Sequence, residues 1–367
     1  MAVQLGMFSM PFHHPDRDYA TVLDEDREAI IQADRLGFSE AFVGEHYSSL
    51  SERIPAPMMF MASVIAQTRR IRFATGVINM TAQHPAVIAG QAALFDHLSR
   101  GRFIMGIGPG GLISDLEMFD SGPPEQRPRM VVEAIDAILQ LWAQDPPYRI
   151  DGTFWKIAIE NGIWPDYKVG TIPRPYQQPH PPIALSLITP NSSSAVTAGA
   201  RGWIPVSGNF FHSRYLRSHW ERYAEGCEQA GRRPDPAIWR VARCVLVTPT
   251  DSEADDYLAE AGNGLDYYYS FFRHSFAQGR KALFMLKPDL DMADEALTVD
   301  HIKRALVIAG SPRRVLEQLV ALRDTIGPFG TLLMTGHDWD RAAMWKRSME
   351  LLAGEVMPRF GRHAAAA

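Results

Sequence analysis

Short apolar runs that read as strands alternate along this chain with stretches of helical period, and they do so eight times. "VQLGMFSM" from Val3 is the first strand. Ala29, Ile30, Ala33 and Leu36 then recur at helical spacing before Gly37 closes the helix. "EAFVGEH" is the second strand and "PAPMMFMASVIAQT" its helix; "IRFATGVINM" is the third, with a helix opening at Pro85. "GRFIMGIG" and a helix over Met130–Trp142 complete a fourth unit. Each unit takes roughly 35 residues, the rhythm of parallel strands joined by helical crossovers. "IALSLI", "WIPVSG", "RVARCVLVT" and "GTLLMTG" supply strands five to eight, and Ser311-Pro312 opens a helix that Gly327 ends. The pattern predicts an α/β fold of the (β/α)8 TIM-barrel type; an open doubly wound sheet is the alternative.

In this reading residues 1–367 form one barrel domain, interrupted twice. Segment 146–182, after strand 4, holds many of the 26 prolines, and segment 251–305, after strand 7, contains "DYYYSFFRHSF". Both are expected as insertions at the barrel mouth, and the tail 361–367, "GRHAAAA", is expected to fray. A net charge of −5 without any Lys/Arg block argues against a nucleic-acid or membrane-surface partner. No apolar run approaches a membrane span, and the N-terminus lacks the form of a signal peptide. Two cysteines, Cys227 and Cys244, without metal-like spacing point to a reduced compartment, and a cytoplasmic location is expected.

If the fold is a barrel, function sits where the strands end. The polar residues there are His13 and His14, then Glu45, His46 and Tyr47, then Asn79, Thr81 and Gln83. A Gly-Pro-Gly-Gly turn at 108–111 follows strand 4, Thr189 to Ser194 follows strand 5, and Ser207 and Asn209 follow strand 6. His337, Asp338 and Trp339 follow strand 8. Four of the 12 histidines thus map to one rim; any one of them alone is more often structural than catalytic, and their convergence favours the group rather than each member. "GIGPGG" has no helix at its third glycine, so it is either a tight turn or a place of close backbone approach to a flat ligand. Asn191-Ser192-Ser193-Ser194, ahead of a helix, reads as a phosphate seat or as ordinary capping, with Arg127 and Arg129 as possible partners. No metal is expected: adjacent His13 and His14 point to opposite sides, and no His-x-His pair accompanies them.

These pieces together resemble the bacterial-luciferase-like flavin monooxygenase family over nearly the whole chain. The resemblance is carried by "GEHY", by "TRRIRFATGVINMTAQHPAVIAGQAALFDHLSRGRFIMGIGPGG" and by "RPRMVVEAIDAIL". "GPGGLISD" and "GHDWD" are similar to the branch holding limonene and diketocamphane monooxygenases. The resemblance implies reduced FMN delivered by a separate flavin reductase, with O2 as co-substrate. One oxygen atom would enter a mostly apolar small molecule through a flavin 4a-hydroperoxide. It implies His46 as the catalytic histidine, and Val77, Ile78, Asn79 and Met80 against the flavin ring. Asn191, Ser192, Ser194 and Arg129 would meet the FMN phosphate. His13, Tyr47, Gly110, Gly111, His337 and Trp339 would surround the substrate, the 251–305 segment would close over it, and the protein would be a homodimer. Tyr47 departs from a more frequent second histidine, and Pro109 replaces an arginine. A deazaflavin-dependent dehydrogenase or reductase on the same fold, and a non-catalytic flavin-binding subunit, stay open as alternatives.

Overall fold

The computed structural model describes residues 3–10, 12–278 and 282–366. The strands are β1 (Gln4–Ser9), β2 (Glu40–Val43), β3 (Arg72–Thr75), β4 (Ile78–Asn79), β5 (Phe103–Gly108) and β6 (Tyr148–Asp151). They continue with β7 (Lys156–Ile159), β8 (Ile183–Leu187), β9 (Ile204–Ser207), β10 (Arg240–Val247), β11 (Val307–Gly310) and β12 (Thr331–Gly336). Going round, β1, β2, β3, β5, β8, β9, β10 and β12 pair in parallel, and β12 returns to β1, which closes an eight-stranded barrel.

The helices are α1 (Tyr19–Leu36), α2 (Pro57–Ala62), α3 (Pro85–Ser99), α4 (Ile113–Met118), α5 (Arg127–Ala143), α6 (Ser193–Arg201) and α7 (Leu216–Gln229). After them come α8 (Asp251–Ala259), α9 (Gly264–Gln278), α10 (Val299–Leu306), α11 (Pro312–Ile326), α12 (Ala342–Leu351) and α13 (Met357–Ala366). Local chemistry sets their ends. Asp18 caps α1 by accepting from the Thr21 N–H, and Gly37 ends it at φ 84°. Ser311 caps α11 and Pro312 fills its first position. Among the described residues no helix is long and apolar enough to cross a membrane.

Side chains alternate along each strand, so one face of every strand fills the barrel. Phe42, Ala74, Ile104, Ala184, Val206, Ala242 and Leu333 form that inner apolar plug. Two residues before Phe42 and Ala242, the same face carries Glu40 and Arg240. Arg240 Nε and Nη2 donate to the two Glu40 carboxylate oxygens at 2.9 and 3.1 Å, a buried bidentate pair near the start of the strands. Higher up, β3 leaves β5 after Ala74 and β4 replaces it from Ile78. Thr75 bridges the gap: its Oγ1 donates to the Gly106 carbonyl at 2.7 Å and accepts from the Gly106 N–H at 2.9 Å. A Cβ on Gly106 would lie 1.8 Å from the Thr75 carbonyl oxygen, so glycine is required there.

The structure differs from the sequence expectations in four places. The short helix α4 and the strand β11, which pairs with the upper half of β10, were not anticipated. Segment 146–182 forms an antiparallel hairpin, β6–β7, held on the flank of α5, and none of its residues lines the cavity among the strand ends. There Glu133 accepts the N–H groups of Thr153, Phe154 and Trp155. Its return run reaches the start of β5, where Gln177 Nε2 donates to the Phe103 carbonyl. The tail expected to fray continues α13 to Ala366, Ala364 is buried, and Arg323 donates to its carbonyl; residue 367 lies outside the described residues. By contrast, Phe271, Phe272 and Ser275 of α9, within 251–305, do reach the mouth.

Removing one partner of the buried pair strands a charge, whereas removing both does not. Arg240→Leu is therefore expected to lower unfolding free energy by about 3–5 kcal/mol, and Glu40→Leu/Arg240→Leu to recover much of that loss, as read from urea midpoints.

Candidate functional site

A cavity opens among the C-terminal ends of the strands, with ≈ 940 Å³ of empty space including the part open to solvent. Phe8 and Val206, at the top of the apolar plug, form its base. One side is backbone-rich: Gly76, Val77, Gly110 and Gly111. The Gly76–Val77 peptide is cis. Gly110 sits at φ 81°, a conformation that glycine adopts without steric cost. Phe210, Phe271 and Phe272 line it as well, with Met10 and Ser275. Against this frame stand the polar side chains Glu45, His46, Glu52 and Asn79, with the hydroxyls of Ser186 and Ser275.

His46 is held at both ring nitrogens. Nδ1 lies 3.0 Å from Asp115 Oδ2 and Nε2 lies 3.2 Å from Glu52 Oε2. Burial disfavours the charged imidazole, but the Glu52 and Asp115 carboxylates outweigh it, and the His46 pKa is raised above its ordinary value. Burial also raises the Asp115 carboxyl, yet the bonds from His46 and Ser48 prevail and hold it down to about 2. Glu52 is raised by burial, an effect that His46 only partly offsets. Asp115 is thus the fixed anion of the trio, and Glu52 is the carboxylate that can share a proton with His46. Glu45, raised by burial to about 7 against the Asn79 N–H bond, titrates in the neutral range beside them.

The loops are tied to these carboxylates. Glu45 Oε1 accepts the Asn79 N–H at 2.9 Å, while Asn79 Nδ2 donates to the Glu45 carbonyl at 3.2 Å, which pins β4 beside the end of β2. Asp115, in the first turn of α4, accepts the N–H groups of Tyr47 at 3.2 Å and Ser48 at 2.8 Å. The polar end of "FVGEHY" is therefore clamped by one acid from beyond β5.

The residues expected at the site separate into two groups. His46, Val77, Asn79, Gly110 and Gly111 line the cavity, and Ile78 and Met80 flank them fully buried. Asn191, Ser192 and Ser194 lie at the start of α6, just past the lining residue Ile188. Ser192 is the buried cap residue and makes no side-chain capping bond there; the Asn191 N–H is taken by Ser218 Oγ.

Five others lie elsewhere, each because another partner holds it. His13, expected near the substrate, is buried between Asp338 Oδ1 at 2.6 Å and Asp26 at 3.2 Å, tying β1 to α1 and β12. Burial opposes its charge, but these two acids raise its pKa to about 9. His337 approaches Cys244 Sγ at 3.0 Å and packs edge-on to Tyr268, and burial pushes its pKa down to about 3. Trp339 is buried under the Lys346 ammonium. Tyr47 packs on Phe119, and its hydroxyl accepts from Gln83 Nε2 at 2.7 Å. Arg129, expected at the phosphate, stacks 5.9 Å from Phe154 of the hairpin, in a separate groove. None of the five lines the cavity.

Glu52 and Asp115 escaped the sequence reading. Both lie outside the strand ends, Glu52 in the loop before α2 and Asp115 within "GPGGLISD". The available signal was an acid in the first turn of a short helix beside a histidine-bearing rim, too common a feature to single out.

Comparison with known proteins fits this geometry. Residues 3–327 match the luciferase-like monooxygenase family. Limonene 1,2-monooxygenase of Rhodococcus erythropolis is 30% identical over 359 residues, 98% of this chain and 87% of that protein. The solved structure of the oxygenating constituent of 3,6-diketocamphane monooxygenase from Pseudomonas putida, a type II Baeyer-Villiger monooxygenase in complex with FMN, is 28% identical. It matches with a TM-score of 0.86 over 98% of both chains. An F420-dependent secondary alcohol dehydrogenase, at 18% identity and a TM-score of 0.67 over 97% of this chain and 98% of that one, shares the fold alone. With a match that runs through the barrel and a flavin-bound relative of the same shape, this chain belongs to the luciferase-like monooxygenase family.

Proposed function

We propose that this protein is the oxygenase of a two-component system, inserting one atom of O2 into a mostly apolar small molecule with reduced FMN. The reduced FMN would come from a separate flavin reductase, a reading supported by the relative described as an oxygenating constituent. The observation that carries the proposal is a histidine held between two carboxylates in the wall of a cavity lined mainly by apolar side chains and glycines. The cavity fits the cofactor in three respects. It is large enough for a flat ring, Val77 and the glycines offer backbone at short range on one side, and the first turn of α6 stands past its rim with unpaired N–H groups for a phosphate. Val77, Asn79, Gly110 and Gly111 would hold the ring, and Asn191, Ser192 and Ser194 the phosphate. When bound, reduced FMN supplies the activation of O2 that no side chain provides.

The chain's own groups do the rest. Phe210, Phe271 and Phe272 exclude water and favour an apolar substrate; α9, which carries the last two, is the element placed to cover it. His46 is the group that holds or passes a proton at the wall, with Asp115 fixing the ring through Nδ1 and Glu52 facing Nε2. A homodimer is part of the proposal. Val87, Leu94 and Leu98 on α3 and Met59 on α2 are exposed apolar side chains on two helices that pack together. Two buried, unpaired cysteines suit a cytoplasmic setting.

A panel of terpenes, cyclic ketones and aldehydes, incubated with the protein and reduced FMN under air, should give one product carrying a single added oxygen. Turnover with a reduced deazaflavin and no oxygen requirement would replace the proposal with the dehydrogenase reading. In the same assay His46→Ala is expected to lower product formation by roughly 10²–10⁴-fold while flavin binding persists. The pH profile gives a second test. Because the His46 pKa is raised, its ion pairs are fully present below the ordinary histidine value and are lost as pH rises through the raised one. Activity should fall along that alkaline limb, and Asp115→Asn, which removes one raising carboxylate, should move the limb to lower pH. Leu94→Glu should convert the dimer to monomer in light scattering; an unchanged mass would discard that interface.

A further inference from the structure

A second cavity has a buried cation at its floor and, among the described residues, no counter-ion beside it. It lies among α10, β11 and α11, encloses ≈ 680 Å³ including the part open to solvent, and shares no lining residue with the first. Arg304, Ala321 and Thr325 form an exposed mouth, and Phe211 and Arg243 are its buried floor. Arg243 is 2% exposed. Its Nη1 donates to the carbonyls of Gly208, Asn209 and Phe211 at 3.3–3.4 Å. Nε and Nη2, which form the other edge of the guanidinium, are buried and have no hydrogen-bond partner among the described residues.

Arg240, three residues earlier on the same strand, shows what that edge does when it is satisfied. Its Nε and Nη2 grip both oxygens of Glu40. Arg243 has no such carboxylate within ion-pair distance among the described residues. Burial pushes its pKa down to about 10, so it is still a cation at neutral pH. An unpaired buried charge is costly, and buried guanidinium groups are ordinarily matched by an anion.

We propose that this second cavity binds a small anion bearing a carboxylate or phosphate group, with the Arg243 guanidinium at its floor as the counter-charge. Arg304 lies at the mouth to draw the anion in, although its own Nε is shared with Asp300. The site is joined to the first cavity through Nη1: the loop it holds contributes Gly208 and Phe210 to that wall.

The test is thermal unfolding of the flavin-free full chain, titrated with inorganic phosphate or with acetate at ionic strength matched by sodium chloride. A saturable rise in Tm with either oxyanion is expected. Phosphate acting alone identifies a phosphate group and acetate alone a carboxylate. The rise should disappear in Arg243→Met, and Ala321→Trp, at an exposed position, should block the mouth and abolish it as well. No saturable rise with either anion overturns the proposal. So does a rise that persists in Arg243→Met, or in Ala321→Trp if Arg243→Met does not fold; phosphate held only at the start of α6 would give that result.

Discussion

The candidate active site hangs on the Asp115 carboxylate. Its two oxygens take backbone N–H groups from Tyr47 and Ser48, the Ser48 hydroxyl and His46 Nδ1. A carboxylate that collects this many donors stays ionised at any working pH, and one held near pKa 2 cannot exchange its proton with the site. The consequence is a division of labour. Asp115 orients and charges His46, and Glu52, raised by burial, is the group with which His46 can share a proton.

The same device recurs around the barrel. Asp34 accepts the N–H groups of Arg69, Arg70 and Ile71 and so fixes the entry to β3. Glu133 does this for the hairpin turn, and Asp251 for the Ser311 N–H at the start of α11. Loops that leave a barrel strand have unpaired backbone donors, and one well-placed acid satisfies two or three of them at once. Glu40 plays a different part, pairing with Arg240 inside the ring. Several such acids thus brace the barrel, each holding a different loop, and Asp115 is the one that does so at His46.

The barrel was legible in the sequence because strand and helix periods are local properties, and caps such as Ser311-Pro312 and Gly37 mark where one gives way to the other. β11 was not: "VIAG" is four residues long and follows α10 without a turn signal. At the site, strand-end position found His46 and Gly110, because strand ends face the mouth in this fold, and the family resemblance added Val77. It also drew in His13 and His337, whose side chains turn toward Asp338 and Cys244 instead. Position along a strand says how high a residue sits, not which neighbour its ring meets. Glu52 and Asp115 were hidden for the converse reason, since their roles depend on loops that meet His46 only after folding. Arg129 is a third kind of case: the hairpin that captures it lies in a segment whose placement no local pattern encodes.

The account therefore stands on the His46 pKa being raised by the Glu52 and Asp115 carboxylates. Titrating the protein with ¹⁵N-labelled histidine and following the His46 ring nitrogens by NMR tests this directly. The account predicts a pKa for His46 above the ordinary histidine value, lowered in Asp115→Asn. A His46 that titrates at or below the ordinary value, unmoved by that substitution, would contradict it.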